Sequence, residues 1–253
     1  MSSSAVSGIV FIVLICGALL GALVRNLVHT SKLDEDSREI IRLGTGLLGT
    51  LAALVLGLLI ASAKGSYDTQ LGQVRKLTGD VVLLDVLLAQ YGPDAHAART
   101  LLRAAIAQVA DTIWRENSSN AATKGPFRTT AAGEGAFAKI QELEPQNDAQ
   151  RAFKARAIDV STDVLRTRAF LFEQAGSAIP APFLAVLIFW LAIIFMSFCL
   201  FARLNTTVIV VLVILAVSVS GAIFLMLDLS EPFTGALRVS SVPLRNALAP
   251  LGP

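Results

Sequence analysis

The sequence predicts an all-α integral membrane protein, with four transmembrane helices and a helical soluble region between spans two and three. Three observations carry this. Four long runs are almost wholly apolar, and the last, residues 206–227, holds 22 residues without one ionisable side chain. At about 1.5 Å rise per residue, a helix of that length crosses the roughly 30 Å hydrocarbon core of a bilayer. The 253-residue chain is 54% hydrophobic and only 16% charged, where soluble chains carry about 25%. The charge that remains is concentrated between the second and third runs, in a block whose apolar residues step by three and four and never alternate as in a strand.

The first run covers about residues 6–28, with its uninterrupted apolar part ending before Arg25. A cleaved signal peptide is disfavoured because no Lys or Arg precedes the run. Gly17 and Gly21 form a GxxxG pair beside Ala18 and Ala22, a smooth face on which another helix can approach closely. The connection to residue 42 mixes Arg25, Lys32, Arg38 and Arg42 with Asp34, Glu35, Asp36 and Glu39. It reads as a solvated loop with a helix starting near Asp34, since acidic residues suit a helix N-terminus.

The second span covers about residues 43–63. Gly49, Ala53, Gly57 and Ala61 recur every four residues, a small-residue stripe along one helix face. In lipid no hydrophobic drive brings helices together, so tight packing against another helix is the commoner use of such a stripe. A narrow path lined by small side chains is the alternative.

Residues 64–179 hold 14 of the 21 Lys and Arg and 13 of the 19 Asp and Glu. Tyr67, Leu71, Val74, Leu77, Val81, Leu84 and Leu88 mark an amphipathic helix continuous with the second span. Gly92 and Pro93 break it. Asp94 is placed to cap a helix running to about Glu116, with Leu101, Leu102, Ala105, Val109 and Ile113 inward. Residues 117–135 are rich in Ser, Asn, Thr, Gly and Ala and read as a loop. A short helix over 136–144 ends at Pro145. Asp148 then caps a long helix to about Gln174, with Phe153, Ala157, Val160, Val164, Leu171 and Phe172 inward.

Pro180 and Pro182 lead into the third span, about residues 183–202, and fit the first turn of a helix. The short link Arg203-Leu204-Asn205 makes a tight hairpin with the fourth span, residues 206–227. Asp228, Glu231, Pro232 and Gly235 stop that helix and turn the chain at the membrane surface. The domain organisation is therefore a first transmembrane hairpin (1–63), a helical cytosolic region (64–179), a second hairpin (180–227) and an interfacial tail (228–253) with a final helical turn to Leu251.

The net charge of +2 implies neither nucleic acid nor an acidic surface as partner. Cys16 and Cys199 both lie inside apolar runs, so they pack as small apolar residues rather than as a disulfide. His29 and His96 are far apart, and no zinc, haem or iron–sulfur spacing occurs. Phosphate-loop, GxSxG and HExxH motifs are absent, so no catalytic, metal or cofactor-binding residue is assigned. Asp228 and Glu231 could pair for acid–base work, but carboxylates at a membrane boundary commonly do no chemistry, and two are too few for calcium's six to eight oxygen ligands. Seven basic residues near the membrane on the side of the termini (Lys64, Arg75, Lys76, Arg166, Arg168, Arg238, Arg245) outnumber five on the other (Arg25, Lys32, Arg38, Arg42, Arg203). By the positive-inside rule both termini face the cytoplasm.

Leu43-Gly44-Thr45-Gly46-Leu47-Leu48, residues 53–64, Ile179-Pro180-Ala181-Pro182-Phe183, Phe189-Trp190-Leu191, Pro232-Phe233-Thr234-Gly235 and residues 240–248 resemble the bestrophin-like family of bacterial membrane proteins, a domain of unknown function. The resemblance covers nearly the whole chain. It implies four spans with a helical region between spans two and three, in a bacterial inner membrane. Through the similarity of that family to bestrophins, it further implies an oligomeric anion channel. No run of pore-lining phenylalanines of the bestrophin type and no calcium-binding acidic cluster is present. A non-catalytic scaffold or signalling partner is the alternative, since apolar stripes on the soluble helices could bind another protein. The expected partners are the lipid bilayer and further copies of the chain. If a pore exists, Gly49, Ala53 and Gly57 are its expected lining.

Overall fold

In the computed structural model, seven α-helices hold most of the described residues, and no strand occurs among those residues. Those residues are 2–27, 35–115, 131–174, 180–202, 205–233, 235–240, 242 and 244. The 28–34 connection with Lys32, the Ser- and Thr-rich stretch 116–130, the 175–179 approach to the third span, Arg203, Leu204, Thr234, Arg245 and the final turn to Leu251 lie outside them.

The helices are α1 (Ser3–Leu27), α2 (Glu35–Tyr91), α3 (His96–Arg115), α4 (Ala131–Glu142), α5 (Asp148–Gln174), α6 (Ala181–Phe201) and α7 (Thr206–Ser230). Four of them, α1, α2, α6 and α7, are long and apolar enough to cross a membrane. The acidic start near Asp34, the second span and the amphipathic stretch after it are one helix: α2 runs 57 residues without a break. Glu35 and Asp36 fill its first turn, where carboxylates complement the helix dipole. It ends at Gly92, whose φ of 116° lies in the left-handed region that a side chain disfavours.

The chain forms two compact units. The first comprises Met1–Ser66 and Ala178–Ser230. Within it α1 packs on α6 and α7. The GxxxG pair makes the closest approach: a Cβ at Gly17 would lie 2.9 Å from the Ala192 carbonyl oxygen, and one at Gly21 would collide with the Met196 carbonyl. Only glycine lets the α6 backbone come that near. Val10, Leu14, Leu187, Phe195, Ala216, Ile223 and Met226 form the buried centre, with Ala52 and Ala63 contributed by α2. Trp190 packs partly against this centre, and Cys199 is buried in it, whereas Cys16 is exposed on α1.

The second unit comprises Tyr67–Ser177 and Glu231–Pro253. Val74, Leu77, Val81, Leu84 and Leu88 of α2 are buried, with Tyr67 and Leu71 packed at the margin. Leu102 and Val109 of α3, Ile140 of α4 and Ala157, Val160, Val164 and Leu171 of α5 complete the core, with Leu101 and Phe153 at its margin. The side chains of Ile113 and Phe172 lie outside the described residues. Two tail residues, Val239 and Leu244, are buried in the same core.

Several boundaries differ from the sequence expectation. Asp94 does not cap α3; it sits inside a 3-10 turn, Pro93–Ala95, that precedes the helix and has no side-chain cap. The loop read over 117–135 is already helical from Ala131. Its two glycines lower helix propensity, which makes the helical start hard to read from sequence, and a Cβ at Gly135 would make only ordinary contact with Leu101 Cδ1 at 3.4 Å. The cap of α5 is Asn147, one residue before Asp148: its Oδ1 accepts from the Gln150 backbone N–H at 2.8 Å. Gln150 Oε1 in turn accepts from the Gln146 N–H at 2.7 Å, a reciprocal arrangement like a capping box. Helix α7 continues through Asp228 to Ser230. Pro232 explains the stop, because the residue before a proline is disfavoured in helical backbone, and that residue is Glu231, not Asp228.

Candidate functional site

The small-residue stripe of α2 has the opposite surroundings to the glycine pair of α1. A Cβ at Gly49 or Gly57 would meet no atom within 4 Å. Ala53, Gly57 and Ala61 are exposed and Gly49 is half-buried. The face of α2 that does pack inside the chain is a different one, carrying Ala52 and Ala63 with Leu48, Leu56, Leu59 and Ile60. Among the described residues, no helix therefore approaches the stripe closely at Gly49 or Gly57. No charged residue lies on α2 between Arg42 and Lys64, so the open face is small, uncharged and helical over the whole membrane-crossing length.

The turn after α7 is built from backbone. The Gly235 N–H donates to the Glu231 carbonyl at 3.2 Å, and the Val239 N–H donates to the Pro232 carbonyl at 2.7 Å. Pro232 is buried and Glu231 exposed. Asp228, which the sequence places at the surface of this turn, is 2% exposed and lies on the inner face of α7. The two carboxylates therefore sit in unlike environments, one enclosed and one in solvent. Among the described residues, no three His, Cys, Asp or Glu side chains come together as a metal site.

The helical unit holds polar groups that sequence spacing does not reveal. Arg99 on α3 donates to Asp85 on α2 through two parallel hydrogen bonds, Nε to Oδ1 at 2.8 Å and Nη2 to Oδ2 at 2.9 Å. This bidentate fork is the strong form of an ion pair, and it raises the Arg99 pKa further above its usual range. Trp114 Nε1 donates to the Val239 carbonyl at 2.7 Å, and its ring meets Phe233 edge-on with centroids 5.8 Å apart. Lys154 Nζ donates to the Gln141 and Leu143 carbonyls, both at 2.7 Å, and so closes the C-terminal end of α4. Asp80 has a buried Oδ2 without a hydrogen-bond partner among the described atoms. Burial raises its pKa above the ordinary carboxylate range, with Asp163 adding to the rise and Lys76 and Arg156 opposing it. A small apolar void of about 50 Å³ lies between Leu84, Ile106, Ile140 and Val164. Arg168 at its margin has its pKa lowered by burial.

This architecture matches a known one. The bestrophin-like domain matches residues 2–244. The chain belongs to the bestrophin-like family. Among curated proteins, none matches its sequence. Solved structures of a bacterial bestrophin homologue from Klebsiella pneumoniae share the fold. One single-substitution variant superposes with a TM-score of 0.68 at 14% identity, covering 96% of this chain and 97% of that one. A second variant gives 0.69 at 14% identity, covering 96% of both chains. A third crystal structure, phased on zinc, gives 0.63 at 16% identity, covering 95% and 96%. At such identities the likeness concerns the path of the backbone. The bestrophin-like protein is thus an all-α membrane protein with four spans, as its apolar runs require.

Proposed function

We propose that this bestrophin-like protein is an oligomeric anion channel of a bacterial inner membrane, with several copies of α2 lining a central path. One observation carries the reading: the stripe Gly49, Ala53, Gly57 and Ala61 is open in the single chain, though it is the most regular small-residue face in the sequence. A face with no partner at home and no charge needs further copies of the chain, either to pack on or to enclose a narrow path. Bestrophins, the family's namesakes, are channels of this span order. The absence of ionisable groups along the stripe fits a constriction that gates by dewetting rather than by fixed charge. Both termini and the helical unit are read as cytoplasmic, from the seven-to-five excess of basic residues on that side. The protein is read as non-enzymatic.

The test is electrical. Purified protein in a planar bilayer, under asymmetric potassium chloride, should give discrete currents whose reversal potential follows chloride. Gly57→Leu should fold and assemble as the wild type does, since nothing in the chain opposes the new side chain, yet reduce unitary conductance at least several-fold. Unchanged conductance in a folded Gly57→Leu channel would remove the stripe from the path.

A scaffold that binds another protein is the second reading. Val82, Leu83 and Val86, on the helical-unit part of α2, are 40%, 39% and 44% exposed and give it a surface. Silence from folded, correctly oriented protein would favour it.

A further inference from the structure

The first unit contains a groove of about 500 Å³ between α2 and α6, within the usual volume range of small-molecule sites. Its walls are Gly46 and Gly49 on α2 and Ile194, Phe198 and Phe201 on α6. The glycines create the space: a Cβ at either would meet nothing within 4 Å. Phe198 is 43% exposed, so the groove opens sideways from the helices rather than closing as an internal cavity. Thr45 and Ser197 hold its two walls together, their hydroxyls 3.2 Å apart.

One end of the groove is cationic. Arg42 and Ala202 lie there. The Ala202 carbonyl accepts a hydrogen bond from Arg25 Nη1, which brings a second guanidinium to the rim. Arg38 stands one helical turn before Arg42 on the same side of α2. The nearby carboxylates Glu35, Asp36 and Glu39 are exposed and do not line the groove. From Arg42 to Gly49 the groove descends about 10 Å along α2, taking 1.5 Å per residue. Arg42 is the last charge before the apolar span, and Ala202 follows the end of α6. The cationic end therefore lies at the membrane boundary, and the apolar end points into the hydrocarbon.

We propose that this groove binds one anionic phospholipid, with its phosphate on Arg42 and Arg25 and the upper part of one acyl chain between Gly46, Gly49 and Phe198. The order of the groove's chemistry, cation at the boundary and then bare apolar wall, is that of a phospholipid read from headgroup to tail. Basic pockets between spans hold anionic headgroups on the cytoplasmic side of other membranes, and the same pairing of guanidinium with phosphate applies at the opposite face, where the topology read here puts Arg42. The lipid reading rests on the groove rather than on conduction. It shares only Gly49 with the proposed path, and Ala53, Gly57 and Ala61 do not line it.

The experiment is native mass spectrometry of the full-length protein, stripped of lipid in detergent and then incubated with phosphatidylglycerol or phosphatidylcholine of identical chains. Wild type should retain phosphatidylglycerol at least fivefold more than phosphatidylcholine. Arg42→Gln should erase that preference, and Arg42→Lys should restore part of it. Gly46→Leu, which fills empty space and favours helix, should lose both lipids while keeping the wild-type melting temperature. Equal retention of the two lipids by wild type, or undiminished phosphatidylglycerol on both Arg42→Gln and Gly46→Leu, overturns the proposal. So does a second outcome in a background with Cys16 and Cys199 replaced by serine: efficient disulfide cross-linking of Gly46→Cys between copies would show that another chain covers the groove. Neither readout requires current, so failure here is distinguishable from failure of the channel reading.

Discussion

The two compact units hold together by different means. The membrane unit relies on close backbone approach, with glycine or alanine where helices touch and aliphatic and aromatic side chains filling the remainder. The helical unit has a conventional leucine and valine core, and it adds polar ties between its elements: the Asp85–Arg99 fork, Lys154 across the end of α4 and the Trp114–Val239 bond, the last spanning 125 positions. The difference follows from solvent. In water, burying a large apolar side chain contributes about 1.5–3 kcal/mol, so bulk is rewarded. In lipid the alternative to helix contact is an equally apolar acyl chain, so only closeness of fit is rewarded.

This contrast predicts where each unit is most fragile. The largest effect should come from Gly21→Leu, which drives atoms into the Met196 carbonyl of α6. Overpacking commonly costs about 1–3 kcal/mol, and a clash with backbone belongs at or beyond the upper end. The variant should lose the wild-type melting transition in detergent; a variant that melts like wild type would mean that α1 and α6 do not meet there. Next is Arg99→Ala, which strands a carboxylate whose side chain is 6% exposed. Removing one partner of a fully buried pair costs about 3–5 kcal/mol. Arg99 itself is 22% exposed, which reduces the expected loss to about 2–3 kcal/mol, read by thermal melting. Trp114→Phe keeps an aromatic ring against Phe233 but leaves the Val239 carbonyl without its donor. It should cost about 1–3 kcal/mol and speed proteolysis within the tail.

The smallest effect tests the sign of an electrostatic cost. The folded-state pKa of Asp80 is raised, chiefly by burial, so the folded protein holds this proton more tightly than the unfolded chain does. That contribution to stability is present at low pH and is lost as pH rises through the folded pKa. Asp80→Asn should therefore raise the melting temperature at pH 7, and its advantage should vanish as pH falls below the normal carboxylate range. An advantage that grows toward acid would reverse the assignment.

The comparison also shows what a sequence can disclose. The four spans were legible because lipid demands some twenty consecutive apolar residues, and runs such as 206–227 satisfy it without exception. The inward faces of α2 and α5 were legible because Val74 through Leu88 and Ala157 through Val164 keep one helical period. What was not legible depends on partners far along the chain. Gly17-x-x-x-Gly21 and Gly49-x-x-x-Ala53-x-x-x-Gly57 look alike as patterns, and the second is the more regular. Among the described residues, only the glycines of the first come into close contact with another helix. Asp228 reads as a surface stop signal, yet Pro232 ends the helix and Asp228 turns inward. Nothing local links Trp114 to Val239, 125 positions away. The α2–α6 groove has no local signature for the same reason, since Thr45 and Ser197 on its two walls are separated by 152 positions.

The burial of Val239 and Leu244 has a consequence for biosynthesis. The core they complete is begun by α2 and continued by α3, α4 and α5, all of which are synthesised before α6 and α7. That core therefore cannot close while the second transmembrane hairpin is still awaiting insertion. Its unfinished apolar surface stays available to chaperones and proteases until translation has passed Leu244. A released chain truncated after α7 should consequently insert all four spans yet remain sensitive to protease in the helical unit. Extending that chain by the next fifteen or so residues, by the spacing of Ser230 and Leu244, should abolish that sensitivity.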